Sequence, residues 1–122
     1  MRVLICGSRD FTDSALMLRE LSALQGVEVV IEGDSPGADS LAREAARQLG
    51  IPVLPFPADW NRHGRAAGPL RNQRMLKEGR PDQVLAFTED LNSSRGTADM
   101  VARARRAGLP VRLISYAGER SL

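Results

Sequence analysis

Five short apolar runs alternate along this chain with longer amphipathic segments, and that alternation limits the possible folds more than any other feature. The apolar runs lie at residues 3–6, 27–31, 53–56, 83–87 and 111–115. The segments at residues 14–24, 38–49, 64–78 and 97–107 have a helical pattern, and the last three end directly at a glycine. Strands that alternate with helices predict an α/β fold with a parallel sheet and right-handed crossovers.

The length of the chain, 122 residues, fits one domain. We therefore predict that residues 1–122 form a single Rossmann-like domain, with five parallel strands in the order 3-2-1-4-5, helices on both faces and a frayed C-terminus. Sheets of this kind bind ligands beyond the carboxyl ends of the strands, where the order reverses between strands 1 and 4. The loops after residues 6, 31, 56 and 87 are thus the ones that should carry function.

Several classes of protein are excluded or disfavoured by what the sequence lacks. With Cys6 as its one cysteine and His63 as its one histidine, the chain has no internal disulfide and no Cys/His zinc cluster. No apolar run approaches the roughly 20 residues of a membrane span, and the start lacks a signal-peptide layout, so a cytoplasmic protein is expected. Neither the Gly-x-Gly-x-x-Gly dinucleotide fingerprint nor a P-loop is present, which argues against ordinary NAD, FAD or P-loop ATPase chemistry.

The first loop reads Gly7-Ser8-Arg9. A glycine directly after a strand lets the backbone approach a ligand closely, and Ser8 and Arg9 would then bind an anion. The alternative is a tight turn in which Thr12 or Asp13 caps the next helix.

The second loop offers backbone amides and carboxylates together. Gly33 and Gly37 flank a helix start, where amides can hold a phosphate. Glu32 and Asp34 would repel that phosphate unless they face away or contact a sugar hydroxyl. Asp39 lies in the first helical turn, where either ligand binding or the helix dipole explains a carboxylate.

The third loop is the richest in chemistry-bearing side chains. Asp59 is a candidate ligand contact, and Trp60 could stack on a base or anchor the loop over the core. His63 fits a structural role better than a catalytic one. Arg71 and Asn72 lie on a helix that should begin near the switch point, where an arginine can hold a phosphate with two hydrogen bonds. On a solvated helix face the same two residues would be unremarkable.

The fourth loop contains Ser94, Gly96 and Thr97 before the last helix. Small polar residues with a glycine at a helix start form an anion cradle, although Ser94 or Thr97 could equally be a plain helix cap. Four polar, glycine-bearing loops at one edge of one sheet together predict a nucleotide-like ligand.

Of the 17 basic residues, 16 are arginine, and their placement is uneven. Residues 58–80 hold six basic and two acidic side chains, a net charge of +4, whereas the rest of the chain is at −2. Codon bias in a GC-rich genome would explain the preference for arginine over lysine but not this placement. A basic segment on a slightly acidic domain favours a small anionic ligand over a long polyanion.

The motifs together resemble the SLOG superfamily in its small YspA-like branch, over nearly the whole chain. The matching segments are Gly7-Ser8-Arg9, Gly37-Ala38-Asp39, Pro57-Ala58-Asp59-Trp60, Gly64-x-x-Ala67-Gly68-x-x-Arg71-Asn72-x-x-Met75 and Arg95-Gly96-Thr97-Ala98-Asp99-Met100. The resemblance implies a Rossmann-like fold that binds a nucleotide or nucleotide-derived molecule, such as a nucleoside monophosphate or an ADP-ribose-like compound. It also implies a homo-oligomer, for which we expect a dimer.

The chain departs from its enzymatic relatives at a telling position. LOG phosphoribohydrolases, which cleave the bond between base and ribose 5′-monophosphate, have Pro-Gly-Gly-x-Gly-Thr-x-Glu-Glu in the fourth loop. Here Met100 stands where the second glutamate would lie, and Asp99 beside it should face about 100° away. Arg71 does match the LOG arginine, whereas Glu32 and Asp34 are unusual where the family places glycine pairs.

Three functional hypotheses follow. The first is a binding or sensing domain, in which Gly7, Ser8 and Arg9 line one side, Arg71, Ser94, Gly96 and Thr97 hold a phosphate, Glu32 or Asp39 contacts a sugar and Trp60 covers the base. The second is a hydrolase of nucleotide N-glycosidic or phosphoester bonds, with Arg71 stabilising the phosphate and Glu32 or Asp39 as base. The third is binding of single-stranded DNA, as in the relative DprA, although the chain has only five aromatic residues for stacking. Any metal would be Mg²⁺ carried with a phosphate ligand.

Overall fold

The computed structural model describes residues 1–116 and contains the predicted parallel sheet, in the order β3-β2-β1-β4-β5. The strands are β1 (Arg2–Gly7), β2 (Val29–Glu32), β3 (Val53–Pro55), β4 (Gln83–Phe87) and β5 (Val111–Ile114). The expected fraying of the C-terminus concerns residues 117–122, which lie outside the described residues. None of the helices within residues 1–116 is long and apolar enough to span a membrane.

Helices cover both faces of the sheet, as predicted, and β1 shows why. Val3 and Ile5 belong to one buried cluster with the helices α1 (Ser14–Ser22) and α2 (Ala38–Gln48). Leu4 and Cys6 belong to a second cluster with α4 (Ala67–Lys77) and α5 (Arg95–Arg106). Because side chains alternate along a strand, a continuous apolar run supplies both cores, as is typical of a parallel sheet.

Two short elements before α4 were not predicted. Residues 64–78 were expected to contain a helix, and α4 lies within them, but a short helix α3 (Trp60–His63) and a 3₁₀ turn (Gly64–Ala66) precede it. The carboxylate of Asp59 accepts a hydrogen bond from the Arg62 amide (3.1 Å) and so starts α3 early. Gly64, at a positive φ of 53°, ends it.

Two other element ends differ in ways that matter for the site. The last helix, expected to begin at residue 97, begins at Arg95, after Ser94 and a second 3₁₀ turn (Leu91–Ser93). Strand β2, expected over residues 27–31, extends to Glu32, whose side chain is fully buried. Of the two candidate caps for α1, Asp13 is the one used, since its Oδ1 accepts a hydrogen bond from the Leu16 amide (3.0 Å).

Candidate functional site

A cavity of about 860 Å³ opens at the carboxyl edge of the sheet, between the loops that follow β1 and β4. Ten of the predicted site residues line it: Gly7, Ser8, Arg9, Asp39, Trp60, Arg71, Asn72, Ser94, Gly96 and Thr97. Four others do not line it: Glu32, Gly33, Gly37 and Asp59. The topological rule therefore placed the cavity correctly, but the second loop contributes mainly through Asp39.

Arg71 is the buried cation of the cavity and is only 8% exposed. Its Nε donates to Asn72 Oδ1 (3.0 Å), and its Nη1 donates to the carbonyl oxygens of Gly33 and, at 3.5 Å, Phe56. These partners are neutral, and within residues 1–116 no carboxylate lies within 4.0 Å of the guanidinium. Burial lowers the pKa of Arg71 and the nearby Asp39 charge opposes that shift. The side chain is thus held rigidly while its positive charge stays available to an anion.

Gly33 and Gly37 act through close backbone approach instead of lining the cavity. A Cβ at Gly33 would collide with the Arg71 guanidinium and with Asp39 Oδ2. Gly37 has a φ of +78°, and a Cβ there would collide with the backbone of Ser8 and Arg9. Both positions therefore require glycine so that the β2–α2 loop can pack against α4 and the first loop.

Several backbone amides of the second loop already donate to acceptors within the protein. The Asp34 amide donates to Glu32 Oε1 (2.6 Å) and the Ser35 amide donates to Asp39 Oδ2 (3.2 Å). The Ala38 amide, at the start of α2, donates to the Ser8 carbonyl (3.1 Å). These amides are therefore not available to a phosphate, which agrees with the repulsion expected from Glu32 and Asp34.

Asp39 is the titratable group of the cavity. It is 7% exposed, and its pKa is raised to about 7 by burial and by the Glu32 charge, against the opposing effects of Arg71 and of the Ser35 and Gly33 amides. Burial also raises the pKa of Glu32. Glu32 lies beneath the loop, where Oε2 is 3.5 Å from Arg43 Nε, and not in the cavity.

The start of α5 contributes polar residues to the wall of the cavity. Ser94 occupies the cap position, but its hydroxyl donates to Thr97 Oγ1 (2.8 Å) and accepts no hydrogen bond from a backbone amide of the helix. The amides in the first turn of a helix have no carbonyl partner within the helix. A Cβ at Gly96 would meet nothing within 4 Å, so there is open space beside these amides. This helix start is therefore open to an anion, and Met100 lines the cavity one turn further on.

Sequence reasoning missed a polar bridge between α4 and α5. The Nδ2 of buried Asn72 donates to Asp99 Oδ2 (3.0 Å) and to the Gly96 carbonyl (3.3 Å), while Arg103 Nε donates to the same Asp99 oxygen (2.8 Å). Asp99 was expected to face away, but it lines the cavity. The spacing of Asp99 and Arg103, four residues apart on a helix, was the available signal.

Trp60 and Arg9 form the mouth of the cavity. The indole is 50% exposed, and Arg9 Cζ lies 5.7 Å from the centre of its ring. Asp59, predicted as a ligand contact, caps the helix that carries Trp60. His63 lines a separate cleft of about 290 Å³ with Arg62 and other residues, and Arg71 borders both spaces.

Charges of both signs line the main cavity. The cations are Arg9, Arg65, Arg71 and Arg95, and the carboxylates are Asp10, Asp39, Glu89 and Asp99. Asp99 is ion-paired with Arg103 (2.8 Å), and the raised pKa of Asp39 leaves it partly protonated near neutral pH. Burial raises the pKa of the Cys6 thiol at the cavity floor, so that side chain stays neutral. Within residues 1–116 no group of three or more His, Cys, Asp or Glu side chains is arranged to hold a metal ion, and phosphate-borne Mg²⁺ stays a prediction.

Three comparisons with known proteins agree with this architecture. The profile of the family described as "YspA, cpYpsA-related SLOG family" matches residues 1–63. The Gene 61 protein of Mycobacterium phage D29 is 40% identical, over 90% of this chain and 93% of that protein. DNA processing protein A (DprA) from Streptococcus pneumoniae superposes with a TM-score of 0.78 at 18% identity. That superposition covers 94% of this chain and half of DprA.

Proposed function

This chain belongs to the YspA- and cpYpsA-related SLOG family, and from that premise we propose that it binds a nucleotide or nucleotide-derived molecule in the main cavity, as a binding or sensing domain. The observation that carries the proposal is the buried Arg71 guanidinium, held by neutral carbonyls and bordering a cavity that also contains the open start of α5. A phosphate group supplies the negative charge and the several acceptor oxygens that both features require.

Each part of such a ligand has a counterpart in the cavity. Arg71 and the α5 start would hold the phosphate, Asp39 would accept a hydrogen bond from a ribose hydroxyl, and Trp60 would cover the base. A volume of about 860 Å³ accommodates a nucleoside monophosphate or an ADP-ribose-like molecule.

Isothermal titration calorimetry tests the proposal directly. We expect heat of binding with adenosine 5′-monophosphate (AMP), ADP-ribose or a cyclic nucleotide, and none with adenosine, which lacks the phosphate. Absence of heat from every phosphorylated probe, with the protein folded by circular dichroism, would overturn the proposed function.

Trp60 should matter for the base and not for the phosphate. We expect Trp60→Ala to weaken AMP binding about tenfold or more, because stacking on an aromatic ring contributes about 1–3 kcal/mol per base. Binding of ribose 5-phosphate, which lacks a base, should not change. Leu70→Ala is the matched control, since Leu70 is 46% exposed on α4 and lies outside the main cavity. Equal losses for AMP and ribose 5-phosphate would contradict the stacking role.

A second candidate, hydrolysis of an N-glycosidic or phosphoester bond, is favoured by one observation. Asp39 lines the cavity with a pKa of about 7, which suits a group that accepts a proton from an attacking water at neutral pH. Chromatography of incubated nucleoside monophosphates would detect released base or inorganic phosphate. Release that persists at full rate in Asp39→Asn would exclude Asp39 as the base.

Homodimer formation and single-stranded DNA binding stay proposals that rest on the family resemblance. Sedimentation of the purified protein would test the dimer. A gel shift repeated at several salt concentrations would test contact with the DNA backbone, because phosphate contacts weaken steeply with salt.

A further inference from the structure

Three charged side chains join the end of β2 to α2 beneath the β2–α2 loop. Glu32, the last residue of β2, is fully buried, whereas the side chains of Asp34 and Arg43 are both 42% exposed. None of the three lines the main cavity. They surround Gly33, whose carbonyl accepts the hydrogen bond from Arg71 Nη1.

The contacts among these side chains form a closed ring. Glu32 Oε1 accepts a hydrogen bond from the Asp34 amide (2.6 Å), and Asp34 Oδ1 accepts one from Arg43 Nη2 (2.7 Å). The ring is closed by charge alone, since Glu32 Oε2 lies 3.5 Å from Arg43 Nε and neither atom has a hydrogen-bond partner among the described residues. Both ends of the Asp34 residue, its amide and its carboxylate, are therefore fixed.

Asp34 adopts a backbone conformation that needs this support. Its φ of +56° lies in the left-handed region, which is unfavourable for a residue with a Cβ. Such a conformation persists where the surroundings impose it. The same turn directs the Gly33 carbonyl at Arg71 and brings the Ser35 amide to Asp39 (3.2 Å).

We propose that Glu32, Asp34 and Arg43 form a positioning brace that holds the Gly33 carbonyl against Arg71 and so sets the guanidinium for its ligand. Glu32 is then a positioning residue, not a general base. The inference rests on the proposed function, because it takes Arg71 as the ligand-binding cation. A fully buried carboxylate is costly unless it is paired and hydrogen-bonded, and the Asp34 amide at Oε1 and the Arg43 charge at Oε2 offset part of that cost for Glu32.

The charge of Glu32 gives the brace a second, measurable effect. Asp39 is faced by Glu32 from β2, by Arg71 from α4 and by the Cys6 thiol from β1, and it accepts bonds from the Gly33 and Ser35 amides. Glu32 itself is faced by Arg43 and Asp39 from α2, by Arg71 from α4 and by Asp34 of the loop. Removing the negative charge of Glu32 should therefore lower the pKa of Asp39. A residue at position 32 that only filled space would have no such effect on that pKa.

Glu32→Gln tests the brace, with Glu44→Gln as its matched control. Glu44 lies on α2 and pairs with Arg47 at the surface, so the control removes a carboxylate from an ion pair without touching the loop. NMR would report hydrogen exchange of the Arg71 guanidinium. Calorimetry would report the AMP affinity over about 1.5 pH units on either side of neutrality, where carboxyl groups of raised pKa titrate.

In Glu32→Gln we expect exchange at Arg71 to accelerate and AMP binding to weaken, each by about tenfold, as misplacement of a binding group predicts. The midpoint of the pH dependence should move to lower pH, and Glu44→Gln should match the natural protein. The brace would be overturned if Glu32→Gln matched the natural protein in hydrogen exchange at Arg71, in AMP affinity and in the midpoint of its pH dependence. If Glu32→Gln does not fold, Arg43→Gln is used in its place, and we expect the same faster hydrogen exchange at Arg71 and the same weaker AMP binding.

The exchange measurement separates the two proposals. If the natural protein binds no nucleotide, the proposed function fails, but accelerated exchange at Arg71 in Glu32→Gln would still support the brace. Loss of hydrolysis with unchanged exchange would instead assign Glu32 as a base and overturn its positioning role.

Discussion

Replacing Arg71 with alanine will weaken AMP binding by about 100-fold or more, the cost of removing a charge-assisted, two-pronged contact to phosphate. It will also lower the free energy of unfolding by about 2–4 kcal/mol, because the Gly33 and Phe56 carbonyls lose their donor in a buried position. Calorimetry measures the first effect and urea unfolding the second.

Two further variants serve as controls for Arg71→Ala: one keeps the charge at position 71, and the other removes a neighbouring arginine. Arg71→Lys keeps the positive charge but lacks the planar guanidinium that reaches two carbonyls and Asn72 at once. This variant should therefore recover little of the AMP affinity. Arg74→Ala, one turn along α4, removes an exposed arginine that pairs with Glu78 and should change stability by less than about 1 kcal/mol. If Arg71→Ala bound AMP as well as Arg74→Ala does, Arg71 would not be the anion-binding residue.

Replacing Asp39 with asparagine will raise the free energy of unfolding at pH 8 by about 1–3 kcal/mol, because the neutral amide avoids the cost of a charged carboxylate in this buried position. The folded protein holds the Asp39 proton up to about pH 7, whereas an unfolded chain releases it near about pH 4. The contribution of Asp39 to the free energy of unfolding therefore falls as pH rises between these two values, and it is constant above them. The amide oxygen of the introduced asparagine would keep an acceptor for the Ser35 amide without that loss.

Unfolding measured at about pH 5 and about pH 8, on either side of the raised pKa, checks the sign. The increase in the free energy of unfolding of Asp39→Asn should be small at the lower pH and should reach its whole value at the higher pH. Glu44→Gln, on the same helix, should show no such difference between the two pH values. A variant less stable than the natural protein at the higher pH would contradict the raised pKa. The same variant tests the hydrolysis candidate, because it should still bind AMP next to Arg71 yet lose any hydrolysis.

The sheet could be predicted because each apolar run reports directly on burial. Five runs in β-α alternation leave few topologies, and β1 supplies both cores by simple alternation. The cavity followed from the same topology, since strands 1 and 4 must part at the reversal of strand order. Arg71 could be singled out because the family motif and the position near that reversal agree.

Other parts of the site depend on packing that periodicity does not encode. Glu32 reads as a loop carboxylate, but one more residue of β-pairing, with Pro55, takes it into the sheet and buries it. The role of Asp99 depends on how closely α4 and α5 pack, which decides whether Asn72 can reach it. The sequence left open whether the second loop holds a phosphate, because it does not reveal which amides already have acceptors.

The placement of Trp60 has an optical consequence. It is the one tryptophan in the chain, so the whole of the tryptophan emission arises at the rim of the cavity beside Arg9. A bound molecule that displaces water or the guanidinium from the indole changes the polarity around the ring. Unlabelled natural protein can therefore serve as its own fluorescent reporter in a screen of phosphorylated metabolites, without any introduced dye.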